Sequence, residues 1–314
     1  MAAPTEVTRK ESHASVKGIL ILSRLPFLLP GLAALITGIS IGIADGFDGE
    51  SGLTAMAVTG IAFIMLATYY FNEYFDFDAD VLNKKFIATS GGSRAIPEQL
   101  VPRSIAQVAG WFSVAVLVVF AATYIVLYFR DFPLLLPLGL FGAFCGIFYT
   151  HTPFQWSYKG IGEIIIGGCY GILAVVSGYY AVSARLEPRM ILIALPASLS
   201  IFCVIMSNEF PDYESDKAIN KLNLVVRMGL KSSSNLYAIA MTLVYPAMLA
   251  SVLVGVDWRI AIFGLPVLVL SALAVSMTLN GGYKERGPQT KIAAMTIIAN
   301  LLSSLMFIPV ALFW

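Results

Sequence analysis

Residues 53–80 read LTAMAVTGIAFIMLATYYFNEYFDFDAD, an apolar run that ends in four acids within eight positions. The apolar part has the length of a transmembrane helix, which needs about 20 such residues. Carboxylates at the end of a membrane span are costly unless other groups compensate them. The stretch therefore predicts a membrane helix whose terminal acids are compensated by a bound group or by other residues.

The composition predicts an all-α polytopic membrane protein. Of the 314 residues, 58% are hydrophobic and 12% are charged, which is about half the charge of an ordinary soluble domain. Apolar runs of this length recur along the chain and predict nine transmembrane helices. The predicted spans are residues 18–44, 53–75, 104–128, 132–149, 160–184, 190–210, 236–256, 260–279 and 290–314.

The charges predict the orientation and the domain plan. Sixteen of the 20 Lys and Arg residues fall on one side if the N-terminus is cytoplasmic, as the positive-inside rule requires. Residues 1–17 are expected to form a polar tail, and residues 18–314 a single transmembrane domain. Two polar loops, 77–103 and 211–235, are expected to cap its cytoplasmic face.

The second cap loop opens with a copy of the first acidic stretch. Residues 72–80 (NEYFDFDAD) and 208–216 (NEFPDYESD) share the pattern N-E-x-x-D-x-x-x-D, 136 residues apart. Such a recurrence indicates an internal duplication. The two copies end the second and sixth predicted spans, which run in the same direction. A parallel repeat therefore brings both acidic ends to one membrane face, unlike the inverted repeats of many transporters.

The spacing within each motif predicts a metal site. Residues four apart on a helix lie on one face, so each motif presents one Asn and two Asp. Their oxygens suit Mg²⁺, which shares its coordination shell with substrate phosphates. A diphosphate would be repelled by the acids without a metal to invert the local charge. The predicted ligands are Asn72, Asp76, Asp80, Asn208, Asp212 and Asp216.

Basic residues near the motifs are candidates for binding the diphosphate, namely Arg24, Lys84, Arg94 and Lys159. Arg94 ends the sequence SGGSR, whose glycines let backbone N–H groups approach an anion, and an Arg can bind phosphate oxygens bidentately. The alternative for each is the ordinary positive-inside excess, and Arg24 could instead snorkel to the interface. Glu73 and Glu209 are expected either to support the metal ligands or to act as a base, and Glu163 and Asp78 are the other candidates for the base.

The paired motifs resemble those of the UbiA superfamily of intramembrane aromatic prenyltransferases. The first motif of that family is usually N-D-x-x-D-x-x-x-D, and here Glu73 takes the second position. The second is a D-x-x-x-D pattern, matched by Asp212 and Asp216. The resemblance implies a bundle of nine helices around a central cavity. It also implies Mg²⁺-dependent transfer of a polyprenyl group from its diphosphate to an aromatic acceptor within the membrane.

Three further stretches look most like the menaquinone branch, which prenylates 1,4-dihydroxy-2-naphthoate. They are YTHTPFQWSYKGIGE at 149–163, GILAVVSGYYAVS at 171–183 and SNEFPDYESDKAINKLNLVVRMG at 207–229. The likeness implies a prokaryotic cytoplasmic membrane with the active site facing the cytoplasm. The partners implied are a polyprenyl diphosphate, an aromatic acceptor and lipid, with no nucleic acid.

The implied mechanism is loss of diphosphate to give an allylic cation, followed by attack of an electron-rich aromatic carbon. The catalytic residues are then expected to be Asp76, Asp80, Asp212, Asp216 and Tyr149. Tyr149 is placed near the reacting carbon, where an aromatic face attracts the cation; an interfacial belt tyrosine is the alternative.

Two other functions remain open at the level of sequence. The acceptor could be another quinone or phenazine precursor, or a geranylgeranylglyceryl phosphate lipid. A divalent-cation transporter could also use paired acids, but the spans carry no acids at mid-membrane to form an ion path.

Overall fold

The computed structural model describes residues 15–313, and within them the chain is helical and contains no β-strand. The predicted tail lies outside the described residues up to residue 14, as does residue 314 at the end of the last predicted span. The α-helices of the described chain are α1 Val16–Leu22, α2 Leu29–Ala44, α3 Ser51–Phe75, α4 Phe77–Leu82, α5 Arg103–Leu127, α6 Leu135–Ile147, α7 Gly162–Gly167, α8 Ala174–Ser183, α9 Arg189–Ala218, α10 Leu224–Met228, α11 Leu230–Ala250, α12 Ile260–Phe263, α13 Leu265–Leu279, α14 Arg286–Leu305 and α15 Phe307–Ala311.

Eight segments of the described chain are long and apolar enough to cross a membrane, in agreement with eight of the predicted spans. They are Val16–Ala44, Ser51–Phe75, Arg103–Leu127, Gly162–Ser183, Arg189–Ala218, Leu230–Val254, Ile260–Leu279 and Arg286–Ala311. Large apolar side chains such as those of Val126 and Leu253 are exposed on these helices, as lipid contact requires. The protein is an integral membrane protein.

The predicted span 132–149 is a shorter element. Its helix, α6, has 13 residues, or about 20 Å at the usual rise per residue, against a hydrocarbon core of about 30 Å. The chain is turned before α6, where the Tyr124 hydroxyl donates to the Phe132 carbonyl, and again from Phe148 onward. The count of nine spans, the cytoplasmic N-terminus and the internal repeat therefore stay predictions.

The helix that carries the second motif runs further than the sequence predicted. The predicted span is 190–210, whereas α9 continues through Pro211 to Ala218, as the helical spacing of the second motif requires. A proline removes one backbone donor, yet Ser215 and Asp216 beyond it are buried, so packing keeps this segment helical. The predicted cap loop 211–235 is accordingly helical over much of its length.

The first motif spans a break between two helices. α3 ends at Phe75 and α4 begins at Phe77, so Asp76 lies between them. The helical hydrogen bonds nevertheless continue, because the Asp76 N–H donates to the Asn72 carbonyl at 2.8 Å and the Asp80 N–H to the Asp76 carbonyl at 3.0 Å. The spacing that puts the three ligand candidates on one side is thus retained.

Two glycines allow α2 and α8 to pack backbone against backbone. A Cβ added at Gly38 would lie 2.0 Å from the Val175 carbonyl oxygen, and one at Gly178 would lie 2.0 Å from the Leu35 carbonyl oxygen. Small residues at helix interfaces are the usual means of close approach within a membrane. This contact fixes α2, and with it the segment before α2 that reaches the candidate site.

Adding a methyl group at this contact should destabilise the bundle. Gly178→Ala is expected to lower the free energy of unfolding by about 1–3 kcal/mol, because neither backbone can yield without moving a whole helix. Thermal unfolding in detergent measures the change. Gly168→Ala is the matched control, since a Cβ there meets nothing within 4 Å. Equal stability of both variants would contradict the close contact.

Candidate active site

A cavity of about 350 Å³ brings the two acidic motifs together. α3 and α4 supply one wall and α9 supplies another, with further contributions from the loop after α4 and from the segment before α2. All six predicted ligands line it, namely Asn72, Asp76, Asp80, Asn208, Asp212 and Asp216. The two stretches, far apart in sequence, therefore form one site.

The acids of the first motif are held by partners from distant segments. Asp76 accepts a hydrogen bond from the Tyr158 hydroxyl at 2.9 Å, and Asn72 Oδ1 accepts one from the Thr150 hydroxyl at 2.9 Å. Both donors belong to the segment between α6 and α7. This segment, whose sequence resembled the menaquinone branch, therefore supports the first motif directly.

The acids of the second motif are held in the same way. Asp212 accepts from Asn83 Nδ2 at 2.6 Å and from the Gly91 N–H at 3.2 Å. Asp216 accepts from Asn223 Nδ2 at 2.8 Å. Hydrogen bonds of this kind offset the cost of burying a carboxylate. Asn83 and Gly91 come from the loop that follows the first motif, so this loop ties the two motifs together.

Lys221 bridges the motifs and was missed by the sequence reasoning, which counted it only in the positive-inside excess. Its Nζ lies 2.9 Å from Asp76 Oδ2 and 3.8 Å from Asp216 Oδ1. Its backbone N–H donates to the Asp216 carbonyl, so the turn after α9 directs the side chain inward. Burial by itself would lower the pKa of Lys221, but Asp216 and Asp76 raise it well above its ordinary value. The residue is a fixed cation between two anions.

Asp80 is buried more deeply than Asp76, the other aspartate of the first motif that lines the cavity. Burial raises its pKa well above the ordinary value, with contributions from the neighbouring Glu73 and Asp76, while Lys221 acts in the opposite direction. Gly92 packs against it with a positive φ of 68°, and a Cβ there would lie 2.2 Å from Asp80 Oδ2. Only glycine both adopts a positive φ readily and leaves room for the Asp80 carboxylate.

The SGGSR loop uses its donors differently from the prediction. From its glycines, the loop is predicted to offer its backbone N–H groups to an anion of the substrate. In the structure the Gly91 N–H binds Asp212, and Ser93 donates to Glu73 from its N–H at 2.6 Å and its hydroxyl at 2.7 Å. Buried carboxylates need such donors. The loop therefore holds carboxylates of the protein itself.

Arg94 holds this loop in place. It donates from Nη1 to the Asp80 carbonyl, its Nε lies 4.0 Å from Glu98 Oε1, and its guanidinium lies 4.3 Å from the centre of the Phe86 ring. It is not among the residues that line the cavity. Its predicted contact with a diphosphate stays a prediction, and its observed contacts support the loop.

Arg24 lines the cavity, which decides between the two positions that the sequence left open. Its Nη1 lies 3.6 Å from Glu73 Oε1, and its guanidinium lies 4.5 Å from the centre of the Phe27 ring. Glu73 is 2% exposed, with both oxygens engaged by Ser93. Glu73 thus orients a cation toward the cavity.

The two predicted lysines lie outside the cavity lining. Lys84 is exposed, and its ammonium donates to the Val81 carbonyl at 3.1 Å. Lys159 is exposed too, and its ammonium donates to the Pro153 carbonyl at 3.3 Å. As diphosphate contacts both stay predictions, and the cations that line the cavity are Arg24 and Lys221.

Tyr149 and Glu209, the remaining candidates, both line the cavity. Glu209 is buried, and its Oε2 has no hydrogen-bond partner among the described residues. Tyr170, from the π-helical turn Gly168–Leu173, was not predicted but also lines the cavity. Its hydroxyl donates to the Tyr69 hydroxyl at 3.2 Å, so its ring is fixed at the apolar end of the site.

The donor set fits Mg²⁺. Asn208 lines the cavity, and its Oδ1 is a buried hard oxygen without a hydrogen-bond partner within residues 15–313. No three His, Cys, Asp or Glu side chains of the described chain converge into a ready-made metal cluster. Mg²⁺ commonly takes one or two carboxylates and completes its shell with water and substrate phosphates. The arrangement therefore suits an ion shared with a ligand.

Similarity to known proteins covers nearly the whole chain. A model of the UbiA prenyltransferase family matches residues 28–308. A 1,4-dihydroxy-2-naphthoate octaprenyltransferase from Bacillus subtilis is 26% identical over 235 residues, which are 74% of this chain and 71% of that protein.

Solved structures share the fold. A digeranylgeranylglyceryl phosphate synthase superposes with a TM-score of 0.61 at 20% identity, covering 95% of this chain and 99% of that chain. A UbiA homologue from Archaeoglobus fulgidus bound to GPP and Mg²⁺ superposes with a TM-score of 0.57 at 15% identity, covering 93% of this chain and 99% of that chain.

Removal of the bridging cation should make stability depend more strongly on divalent metal. Lys221→Met is expected to lower the free energy of unfolding in EDTA by about 3 kcal/mol, because Asp76 and Asp216 lose their shared partner. Added Mg²⁺ should then raise the melting temperature more than in the unsubstituted protein. Lys217→Met, at an exposed position near the end of α9, is the control. An unchanged melting temperature of Lys221→Met in EDTA would show that the bridge does not stabilise the site.

Proposed function

The chain belongs to the UbiA prenyltransferase family, and we propose that it transfers a polyprenyl group from a polyprenyl diphosphate to an aromatic quinone precursor within the membrane, with Mg²⁺ at the diphosphate. The observation that carries the proposal is that both acidic motifs line one cavity. That cavity also holds Arg24 and Lys221, and it adjoins an apolar cavity between the helices. A substrate with a charged head and a hydrocarbon tail matches this pairing.

The proposed metal ligands are the side-chain oxygens of the six Asn and Asp residues described above. When bound, Mg²⁺ would supply positive charge to the leaving diphosphate. The unpartnered Asn208 Oδ1 supports the assignment. So does the structure of the Archaeoglobus fulgidus homologue, which was obtained with GPP and Mg²⁺.

The chain's own cations are proposed to act on the same charge. Both Arg24 and Lys221 line the cavity, Arg24 against Glu73 of the first motif and Lys221 between Asp76 and Asp216 of the two motifs. Cations fixed before the reaction stabilise a leaving group without a cost of reorganisation. Glu73, which is not a proposed metal ligand, therefore holds Arg24 in position, and Asp76 and Asp216 hold Lys221 before the metal binds.

The allylic cation is proposed to form beside aromatic rings. Tyr149 and Tyr170 line the cavity, and Tyr170 also lines the apolar cavity next to it. Aromatic faces attract a cation, and apolar walls keep water from capturing it. Tyr149 remains our candidate beside the reacting carbon, and Tyr170 lies where the hydrocarbon tail begins.

Among the predicted candidates for the base, Glu209 is better placed than Glu73 or the exposed Asp78 for taking the proton released by the acceptor. It lines the cavity, and its buried carboxyl adjoins that of Glu163, which was also a candidate for the base. Both oxygens of Glu73 are bound by Ser93. A carboxylate whose oxygens are already engaged is a weaker proton acceptor, because protonation would break those bonds.

The proposed acceptor is 1,4-dihydroxy-2-naphthoate or a related quinone precursor. The stretches at 149–163 and 207–229 resemble the menaquinone branch, and the Bacillus subtilis relative carries that activity in its name. The proposed location is a prokaryotic cytoplasmic membrane, on the basis of the likeness to the menaquinone branch. The distribution of Lys and Arg supports a cavity that faces the cytoplasm.

Purified protein in detergent with geranyl diphosphate and Mg²⁺ should prenylate 1,4-dihydroxy-2-naphthoate faster than other acceptors. The panel includes 4-hydroxybenzoate, a phenazine carboxylate and geranylgeranylglyceryl phosphate, and labelled product is measured by extraction and chromatography. A preference for the glycerol lipid would replace the proposed acceptor. Metal flux into liposomes without any diphosphate release would favour the transporter.

The acids at the cavity should be essential, and the acid outside it should not. Asp76→Asn and Asp212→Asn are each expected to lower kcat by at least about 100-fold, because charge stabilisation at the diphosphate is lost. Asp78→Asn is the matched control, since Asp78 belongs to the same acidic stretch but is exposed and does not line the cavity. A rate near that of the unsubstituted protein in either cavity variant would defeat the metal assignment.

A further inference from the structure

An apolar cavity of about 190 Å³ continues from the candidate site into the membrane region. Its walls come mainly from α2, α3, α5, α6 and the π-helical turn Gly168–Leu173. It shares Thr68, Ile166 and Tyr170 with the site cavity. A molecule whose charged head lies among the acids can therefore extend its tail past Tyr170 into this space.

Close packing of α3 and α6 forms the wall nearest to the candidate site. A Cβ added at Gly146 would lie 2.1 Å from the Thr68 hydroxyl oxygen. Four residues earlier on α6, a Cβ at Gly142 would lie 4.0 Å from Ile64 Cδ1. Residue numbers decrease together along the two helices, from Gly146 and Thr68 to Gly142 and Ile64, so α3 and α6 run parallel and separate with distance from the site.

The next glycine on each helix faces open space. Gly60 of α3 and Gly139 of α6 both line the apolar cavity, and a Cβ added at either would meet nothing within 4 Å. Side chains placed there would project into the cavity without displacing existing packing. The absence of side chains at both positions leaves the passage open.

The position of these glycines corresponds to a definite length of tail. Gly60 lies eight residues from Thr68 on α3, which is about 12 Å at 1.5 Å per residue. An isoprene unit adds four carbon–carbon bonds, or roughly 5 Å when extended, from bond lengths near 1.52 Å and angles near 111°. About two units therefore reach the level of Gly60, and further units must pass the two glycines.

The cavity continues beyond them to buried residues. Leu53 and Tyr124, which are 0% and 5% exposed, line its far end. Leu53 lies seven residues beyond Gly60 on α3, or roughly 10 Å further. The passage beyond the glycines is thus long enough for about two more isoprene units.

We propose that Gly60 and Gly139 determine the length of the hydrocarbon tail that the enzyme accepts, by leaving open the passage for its third and later isoprene units. The inference rests on the proposed prenyl transfer and adds its specificity for the donor. Larger residues at these positions would confine the donor to two units.

The test compares geranyl diphosphate, with two isoprene units, and geranylgeranyl diphosphate, with four. For each protein the quantity measured is the ratio of kcat/KM for the longer donor to that for the shorter donor. This ratio is independent of the folded fraction, because both donors are assayed in one preparation. Gly60→Leu and Gly139→Leu are each expected to lower the ratio by more than about tenfold, as filling a pocket discriminates between substrates that differ in size.

Gly168→Leu is the matched control. A Cβ at Gly168 also meets nothing within 4 Å, but Gly168 lines neither cavity, so its ratio should not change. An unchanged ratio in both Gly60→Leu and Gly139→Leu would overturn the inference and leave the proposed function intact. Failure of the unsubstituted protein to release diphosphate from either donor would refute the proposed function, and this inference with it.

Discussion

The ammonium group of Lys221 lies between Asp76 and Asp216, and this contact allows two acidic motifs to share one cavity at the end of a membrane bundle. Two carboxylates brought together without a cation would repel each other strongly in a medium of low polarity. The side chain of Lys221 is only 15% exposed, so solvent screens the contact poorly and the attraction is retained. The convergence of α3 and α9 depends on this compensation.

Hydrogen bonds from the loop after α4 compensate the carboxylates that Lys221 does not contact. Asp212 takes donors from Asn83 and Gly91, and Glu73 takes both of its donors from Ser93. These donors come from the segment after the first motif, and Asp212 belongs to the second. The loop therefore acts as a cross-link between the halves of the site, and Arg94 strengthens it by binding the Asp80 carbonyl. Arg94, predicted to contact the diphosphate, is thus also part of this cross-link.

Most of the membrane helices could be predicted from the sequence, because a membrane span requires an apolar run of a certain length. The helices α3 and α13 follow this rule closely. Helix ends were predicted less exactly: α6 is shorter than the span 132–149 because the chain turns on both sides of it, and α9 continues through Pro211 beyond the predicted span 190–210. The pairing of the two acidic motifs could be predicted from the sequence because their pattern repeats.

The roles of the cations were not accessible from sequence. Lys84, Lys159 and Lys221 are all lysines in polar segments near the motifs, and only the turn after α9 directs one of them, Lys221, into the cavity. Orientation of a side chain at a loop depends on the path of the backbone, which apolar patterning does not encode.

The carboxylates of Asp76 and Asp216 bind Lys221 and are also proposed metal ligands. Binding of metal and binding of diphosphate therefore depend on each other. Lys221 would have to give up Asp76 or Asp216 when a divalent ion takes their oxygens, and a freed ammonium in a buried site requires a new anion. A diphosphate in the same cavity provides one. Binding of metal without diphosphate would leave Lys221 uncompensated, and binding of diphosphate without metal would leave the acids repelling it. The electrostatics of the site therefore favour joint binding of the two over binding of either alone.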